Sequence, residues 1–365
     1  MNVAKIIDPW GSVLVEDYNK LIKEFGLETF NSSGFPSPNR IMRRGIVFAS
    51  RDISPILTAI KKKKPYYALS GIMPSAERIH LGNKMVIENI SYFQEHGAKA
   101  YVVIADLEAA AARGISIEEA KKMALEFHVP AYVALGLDQK KTIFYFQSEN
   151  KGVISLAYEF SKKVTANEFK AIYGSIDPGR IMSALTQVGD ILFPQLDKPM
   201  PCIVPVGIDQ DPHIRLTRDI TKRFTSRYHF IPPSGIYHKY TPSLDGSLKM
   251  SKSKPESCIE IPEDVHSVSR KIKGAFSGGR GSISEHRKKG AIISQDMPFE
   301  FLKQHFLDND KELQRIYDDY ISGKLLSSEV KEITIEKMTS FMKDFEKKLS
   351  KAKKQVSKLN FIKFS

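Results

Sequence analysis

Lys249-Met250-Ser251-Lys252-Ser253 places two ammonium groups and two hydroxyls within five residues, between Asp245-Gly246-Ser247 and Pro255. Two lysines at that spacing on a mobile loop can close over a triphosphate, and the serines and backbone N–H groups add neutral donors to phosphate oxygens. Alone, such a pentapeptide is most often a solvated turn. Far upstream stands Pro74-Ser75-Ala76-Glu77-Arg78-Ile79-His80-Leu81-Gly82-Asn83, directly before an amphipathic pattern with Val86, Ile90 and Phe93 at i, i+4 and i+7 and Gly97 as its stop. A helix beginning there offers free N–H groups and a partial positive charge, which suits a phosphate. His80 can add a charge-assisted donor, and Gly82, with no Cβ, lets a flat base lie against the backbone. By itself, His80 would read as a capping or surface histidine.

A third constellation is Gly207-Ile208-Asp209-Gln210-Asp211-Pro212-His213-Ile214-Arg215-Leu216-Thr217-Arg218-Asp219. Asp209 and Gln210 offer acceptors for a ribose or a substrate amine. Arg215 and Arg218 share a helix face, so pairing with Asp211 or Asp219 stands beside substrate contact as an alternative.

The elements that must position these groups alternate. Residues 66–70 form a short apolar strand ending at Gly71, residues 100–105 a continuous apolar run with β-branched members, and 142–146 and 201–206 two more. Helical patterns separate them, including one over 118–128. Strands alternating with helices predict an α/β fold, a doubly wound parallel sheet whose ligands bind at the carboxyl ends of the strands. Beyond about residue 262 the pattern is helical, over 299–307, 311–320 and 327–349, and the end is dense in lysine, from Lys343 and Lys347 through Lys358 and Lys363.

The bulk numbers agree with this outline. A chain of 365 residues with 42% hydrophobic content suits two globular domains with an arm. A net charge of +13 and a pI near 9.4 point to a polyanionic partner, nucleic acid being the commonest, although a basic protein without one is the alternative. Cys202 and Cys258 alone cannot build a disulfide framework, no metal-ligand spacing is present, and no apolar run reaches membrane-spanning length. A reduced, cytoplasmic protein with no bound metal and no membrane contact is expected.

The 74–83 and 249–253 motifs, in that order, resemble the two nucleotide-binding motifs of the class I aminoacyl-tRNA synthetases. With Phe48-Ala49-Ser50-Arg51-Asp52, Thr165-Ala166-Asn167-Glu168-Phe169, the 207–219 run and Gly274-Ala275-Phe276-Ser277-Gly278-Gly279-Arg280, the chain resembles the archaeal-type tryptophanyl-tRNA synthetases over nearly all of 1–350. The resemblance implies a Rossmann-like catalytic domain over 61–262, with a dimer-forming insertion at about 150–195. An arm over 1–60 would precede it, and a helical anticodon-binding domain over 263–365 would follow. It implies ATP and Mg2+ as a substrate complex, tryptophan and tRNA(Trp) as the other substrates, and a homodimer. Pro74, Ser75, His80, Gly82, Asn83, Asp209, Lys249, Met250, Ser251, Lys252 and Ser253 would hold ATP, with His80, Asn83, Lys249 and Lys252 acting on the transferred phosphate. Leu69, Glu108, Gln187, Asp190 and Gln210 would hold the amino acid.

Two departures stand out. The fourth residue of the first nucleotide motif, histidine in most of the class, is Asn83. Eukaryotic relatives read the indole with a Tyr and a Gln where this chain has Leu69 and Val103, so another acceptor is needed, and Asp190, one helical turn from Gln187, is the nearest by motif. An ionised Asp190 would accept from the indole; a helix cap or a lysine partner is its structural alternative. The runner-up is a tyrosyl-tRNA synthetase, motivated by Gln187-Val188-Gly189-Asp190. Further off stand a non-catalytic RNA-binding paralogue and a nucleotidyltransferase sharing the His-x-Gly motif.

Overall fold

The computed structural model describes residues 17–174, 177–247, 250 and 254–363. The described chain forms two compact units: one of the residues up to Glu77, Val86–Lys239 and Lys351 onward, the other of Arg78–Met85 and Tyr240–Ser350.

The first unit is built on a seven-stranded sheet in the order β1-β2-β8-β7-β3-β5-β6. Its strands are β1 (Glu28–Thr29), β2 (Val47–Arg51), β3 (Tyr67–Ile72), β5 (Lys99–Ile104), β6 (Thr142–Phe146), β7 (Cys202–Gly207) and β8 (Ser234–His238). β8, β7, β3, β5 and β6 run parallel, and β2 joins β8 antiparallel. The chain winds outward from β3 through β5 to β6, then returns to β7 and β8 on the other side. The order therefore reverses between β3 and β7, the switch point where open α/β sheets take ligands. The expected strands are all present because each is a contiguous run of apolar, largely β-branched or aromatic residues that the flanking helices bury on both faces.

The stretch expected as an arm differs. Val47–Arg51 is part of the sheet, and its end is clasped to the Asp211–Arg223 helix. Arg51 donates from Nε and Nη2 to the two oxygens of fully buried Asp211, both at 3.0 Å, and Arg218 donates to Asp52 at 3.0 Å. Arg215 pairs with Asp211 at 3.1 Å, while Asp219 pairs with Lys222. Internal pairing thus accounts for both arginines, with Asp52 taking the place expected for Asp219. Thr165 and Glu168 form a reciprocal capping box on the Ala166–Tyr173 helix, which explains that matched stretch as a helix start.

The second unit carries the short strands β4 (Ile79–His80) and β9 (Glu260–Ile261), paired antiparallel, and the helical region. Phe299, Leu302, Leu307, Ile316, Tyr320 and Val330 form its core. The helix expected over 327–349 runs as Ser327–Lys353. Lys343, Lys347 and Lys348 stay with these helices, but the last part of the lysine-rich end, from Lys351, does not. It returns to the first unit, where Phe144 N donates to Asn360 O and Ile362 N donates to Phe144 O, both at 2.9 Å, so the tail covers the open edge of β6. Phe361 stacks on Phe144 and Phe146 at 5.3 and 5.6 Å. An exposed strand edge invites pairing, and this chain supplies its own cover.

Candidate active site

The residues singled out from sequence fall into two groups, one in each unit. In the first unit the parallel strands end on a hydrogen-bonded ring. The Asp106–Arg113 helix starts directly after β5, with Asp106 and Glu108 in its first turn, where carboxylates favour the positive helix end. Gln147 and Ser148 follow β6. The Pro178–Leu192 helix, capped by Asp177 and opened by Pro178, brings Gln187 and Asp190 to both. Gly189 lets this helix approach its neighbour, since a Cβ there would lie 2.8 Å from Val153 O.

Three contacts close the ring. Gln187 Nε2 donates to both oxygens of Glu108, at 3.1 and 2.9 Å. Asp106 accepts from Ser148 N at 3.1 Å and from its hydroxyl at 2.5 Å. Asp190 accepts from Tyr145 Oη at 3.0 Å and from Gln147 Nε2 at 2.6 Å. Asp190 is thus neither a helix cap nor a lysine partner. Burial pushes its carboxyl up to about 8, against the opposing hydrogen bonds from Gln147 and Tyr145. Burial thus works against the ionised form that the sequence reading gave Asp190. Leu69 and Val103 are buried on β3 and β5. Sequence reasoning found Glu108, Gln187 and Asp190 but missed Asp106, Tyr145, Gln147 and Ser148. The missed signal was a polar run, Gln147-Ser148-Glu149-Asn150, at the carboxyl end of a buried strand.

Half-buried Asp209 and Gln210 follow β7 at the switch point, and buried Pro74 and exposed Ser75 follow β3. Nearby in sequence, His213 is fully enclosed and takes Tyr173 Oη at 2.9 Å on Nδ1. Burial lowers its pKa to about 3, so it is neutral and structural.

In the second unit, His80 ends β4 and is exposed at the start of the Leu81–Glu95 helix. Asn83 accepts from His80 N at 3.2 Å, folding its side chain back on the helix start. Gly82 also serves its own motif. A Cβ there would lie 2.8 Å from the His80 ring, so the glycine makes room for the imidazole of its own motif. Lys84 is buried, donates to His305 O at 3.0 Å, and lies 5.4 Å from the Phe341 ring centroid. His305 Nε2 meets Thr241 Oγ1 at 2.9 Å, and Thr241 O accepts from Met250 N at 3.1 Å. A chain of contacts thus joins the residue after Asn83 to Met250. Lys249, Ser251, Lys252 and Ser253 lie outside the described residues. In the 274–280 loop, a Cβ on Gly278 would meet Ile292 O at 2.2 Å and one on Gly279 would meet Ser327 Oγ at 2.4 Å, so close packing within the unit requires both glycines. Among the described residues no group of three or more His, Cys, Asp or Glu side chains could hold a metal, and no helix is long and apolar enough to cross a membrane.

Residues 61–343 match the family model described as tRNA synthetases class I (W and Y). The chain is 39% identical over 363 residues to the tryptophan--tRNA ligase of Methanocaldococcus jannaschii, covering 97% of each chain. It is 39% identical over 361 residues to that of Aeropyrum pernix, covering 96% of each. Among solved structures it is similar to tryptophanyl-tRNA synthetase from Aeropyrum pernix, with a TM-score of 0.89 and 38% identity over 98% of this chain and 99% of that one. It is also similar to the tryptophan-bound enzyme from Encephalitozoon cuniculi, with a TM-score of 0.85 and 28% identity over 96% and 98%. A Rossmann-like parallel sheet followed by a helical region, near-full-length identity to archaeal tryptophan--tRNA ligases and the family match lead to one conclusion: the chain is an enzyme belonging to the class I tRNA synthetases of the tryptophan and tyrosine type, in the tryptophan--tRNA ligase branch.

Proposed function

We propose that the chain activates tryptophan with Mg-ATP, giving tryptophanyl-adenylate and pyrophosphate, and passes the tryptophanyl group to the terminal ribose of tRNA(Trp). The observation that carries this reading is the Glu108–Gln187 pair. A buried carboxylate, held through both oxygens by the Gln187 amide nitrogen at the carboxyl edge of the sheet, is ready for an ammonium, and Gln210 extends the same edge toward the substrate carboxylate.

The first step asks little covalent chemistry of protein. The carboxylate attacks the α-phosphate in line, so catalysis is positioning and charge stabilisation. His80 and the free N–H groups of the Leu81–Glu95 helix stabilise charge on the α-phosphate, while Lys249 and Lys252 follow the leaving pyrophosphate. Asn83 positions the helix start. Pro74, Ser75 and Asp209 complete the nucleotide contacts.

The helical region and its lysines bind the tRNA phosphates, so tRNA binding should fall steeply with salt. The segment at about 150–195 makes a homodimer; exposed Tyr158, at 67% accessibility, and Met182, at 40%, support an interface there. A cytoplasmic location suits a chain whose only two cysteines, Cys202 and Cys258, are both buried and outside any disulfide.

ATP–pyrophosphate exchange with each of the twenty amino acids tests the reading. Tryptophan should stimulate exchange and tyrosine should not. Stimulation by tyrosine alone would overturn the specificity, and no stimulation by any amino acid would favour the RNA-binding paralogue.

A further inference from the structure

The tryptophan side chain carries one polar group, an indole N–H that donates and cannot accept, so a buried reader must offer an acceptor. The registers of β3, β5 and β6 set Leu69 beside Tyr101, Gly71 beside Val103 and Val103 beside Tyr145. With the two-residue alternation of strands, Leu69, Val103 and Tyr145 therefore share one face of the sheet. The Pro178–Leu192 helix meets that face through Asp190, which accepts from Tyr145. Leu69 and Val103 are apolar, and each oxygen of Asp190 already takes a donor.

Gln147 is different. Only 1% of it is exposed, and Nε2 is committed to Asp190 Oδ2 at 2.6 Å. Its Oε1 is buried and has no hydrogen-bond donor among the described residues. A buried amide oxygen left without a donor is costly unless a ligand supplies one. The orientation of the amide follows from its partner: Asp190 Oδ2 accepts from Nε2 at 2.6 Å, as a carboxylate oxygen or as the carbonyl oxygen of a neutral carboxyl protonated on Oδ1, so the amide oxygen, on the same carbon, is turned away from it. Ser148, tied to Asp106 through backbone and hydroxyl, holds the turn that carries Gln147.

We propose that Gln147 Oε1 accepts the indole N–H of tryptophan, and that Asp190 is the positioning residue that keeps the amide turned for it. This rests on the tryptophan activation proposed above and names the specificity determinant of that site. Asp190 then acts through Gln147 and does not touch the indole. A phenol can also donate, so this contact does not by itself separate tyrosine from tryptophan.

The test is ATP–pyrophosphate exchange by the full-length protein with tryptophan and with benzothienyl-alanine, whose sulfur replaces the N–H. Wild type should prefer tryptophan by about 10- to 100-fold in kcat/KM, the range for an unmet hydrogen bond in a buried site. Gln147→Met keeps length and loses the acceptor. It should lower tryptophan kcat/KM by a similar factor, mostly through KM, and change the analogue by less than about threefold, taking the ratio toward one. Asp190→Asn should lower the ratio by a smaller factor with KM for ATP unchanged, and it carries the test if Gln147→Met does not fold. An unchanged preference in either folded variant overturns the proposal, as does an equal loss for both substrates in Gln147→Met, which would mark a purely structural glutamine. Absence of tryptophan-dependent exchange in wild type overturns the activity itself and this inference with it. A wild type that prefers tryptophan, with variants that keep the preference, overturns this inference alone.

Discussion

The two groups of site residues are built in opposite ways. In the first unit, Asp106, Glu108 and Asp190 are buried, and each is held by a donor from another segment. In the second, His80 is exposed at a helix start, and Asn83 turns back on the backbone of its own motif. The difference follows from what each group must meet. An amino acid brings one ammonium, one carboxylate and an apolar ring, so its site holds fixed acceptors in a dry setting, where their interactions are strong. A triphosphate brings several negative charges, and an exposed helix N-terminus can receive it without burying unpaired cations beforehand. Preorganised burial on one side and open donors on the other make separable predictions.

The largest effect is expected on the open side. Lys249→Ala or Lys252→Ala should lower adenylation kcat by roughly 2–4 kcal/mol in transition-state stabilisation, with tryptophan KM nearly unchanged. Single-turnover kinetics separate the two, and a raised tryptophan KM with intact kcat would erase the distinction between the groups. On the buried side, Glu108→Gln should act the other way. Loss of the anion should raise tryptophan KM by about 1.5–3 kcal/mol, the range for a charged hydrogen bond, and leave KM for ATP alone. Equal shifts in both Michaelis constants would show that Glu108 serves the structure and not the ammonium.

Stability offers a third test of burial. The Asp190 carboxyl is raised from 3.8 to about 8, so the folded chain holds this proton more tightly than the unfolded chain does. Stability from this group is fully present below about pH 4 and is lost as pH rises toward 8. Asp190→Asn cannot ionise and removes that loss. Its melting temperature relative to wild type should rise by at least about 5 °C between pH 5 and pH 8, taking roughly 2–4 °C per kcal/mol. A constant difference across that range would place Asp190 in a far more polar setting. The smallest effect belongs to Gly82→Ala. The added methyl meets only the tip of the His80 side chain, which can rotate, and alanine favours a helix by about 0.5–1 kcal/mol over glycine. Thermal stability should stay level or rise slightly while KM for ATP increases, because the imidazole is displaced. A falling melting temperature would mean the ring cannot move.

The strands β3, β5, β6 and β7 were legible because each is a short, contiguous apolar run, and the first nucleotide motif because its strand-to-helix turn is local. Helix faces were less sharp. Met85 and Ile87, rather than Val86, are the buried residues beside Ile90 and Phe93, since the stripe that faces the core is wider than an i, i+4, i+7 reading. Residues 48–52 were seen only as a matching stretch, and the strand at 47–51 was not. A five-residue run carries no sign of antiparallel pairing with residues 234–238, nearly two hundred positions later.

By itself the sequence determined the alternation of strands and helices, the helical second half, the positive charge and the residue types of both nucleotide motifs. Those properties depend on side-chain periodicity and chemistry within a few turns of chain. Tertiary structure alone decided which donors meet which carboxylates. It joined Asp190 to Gln147, 43 positions apart, and Ser148 to Asp106, 42 apart, and it returned Phe361 to the edge of β6. A buried carboxylate must find a partner, but many donors along the chain satisfy that demand equally well on paper. The parallel register of β5 and β6 and the seating of one helix over their ends select the ones within reach.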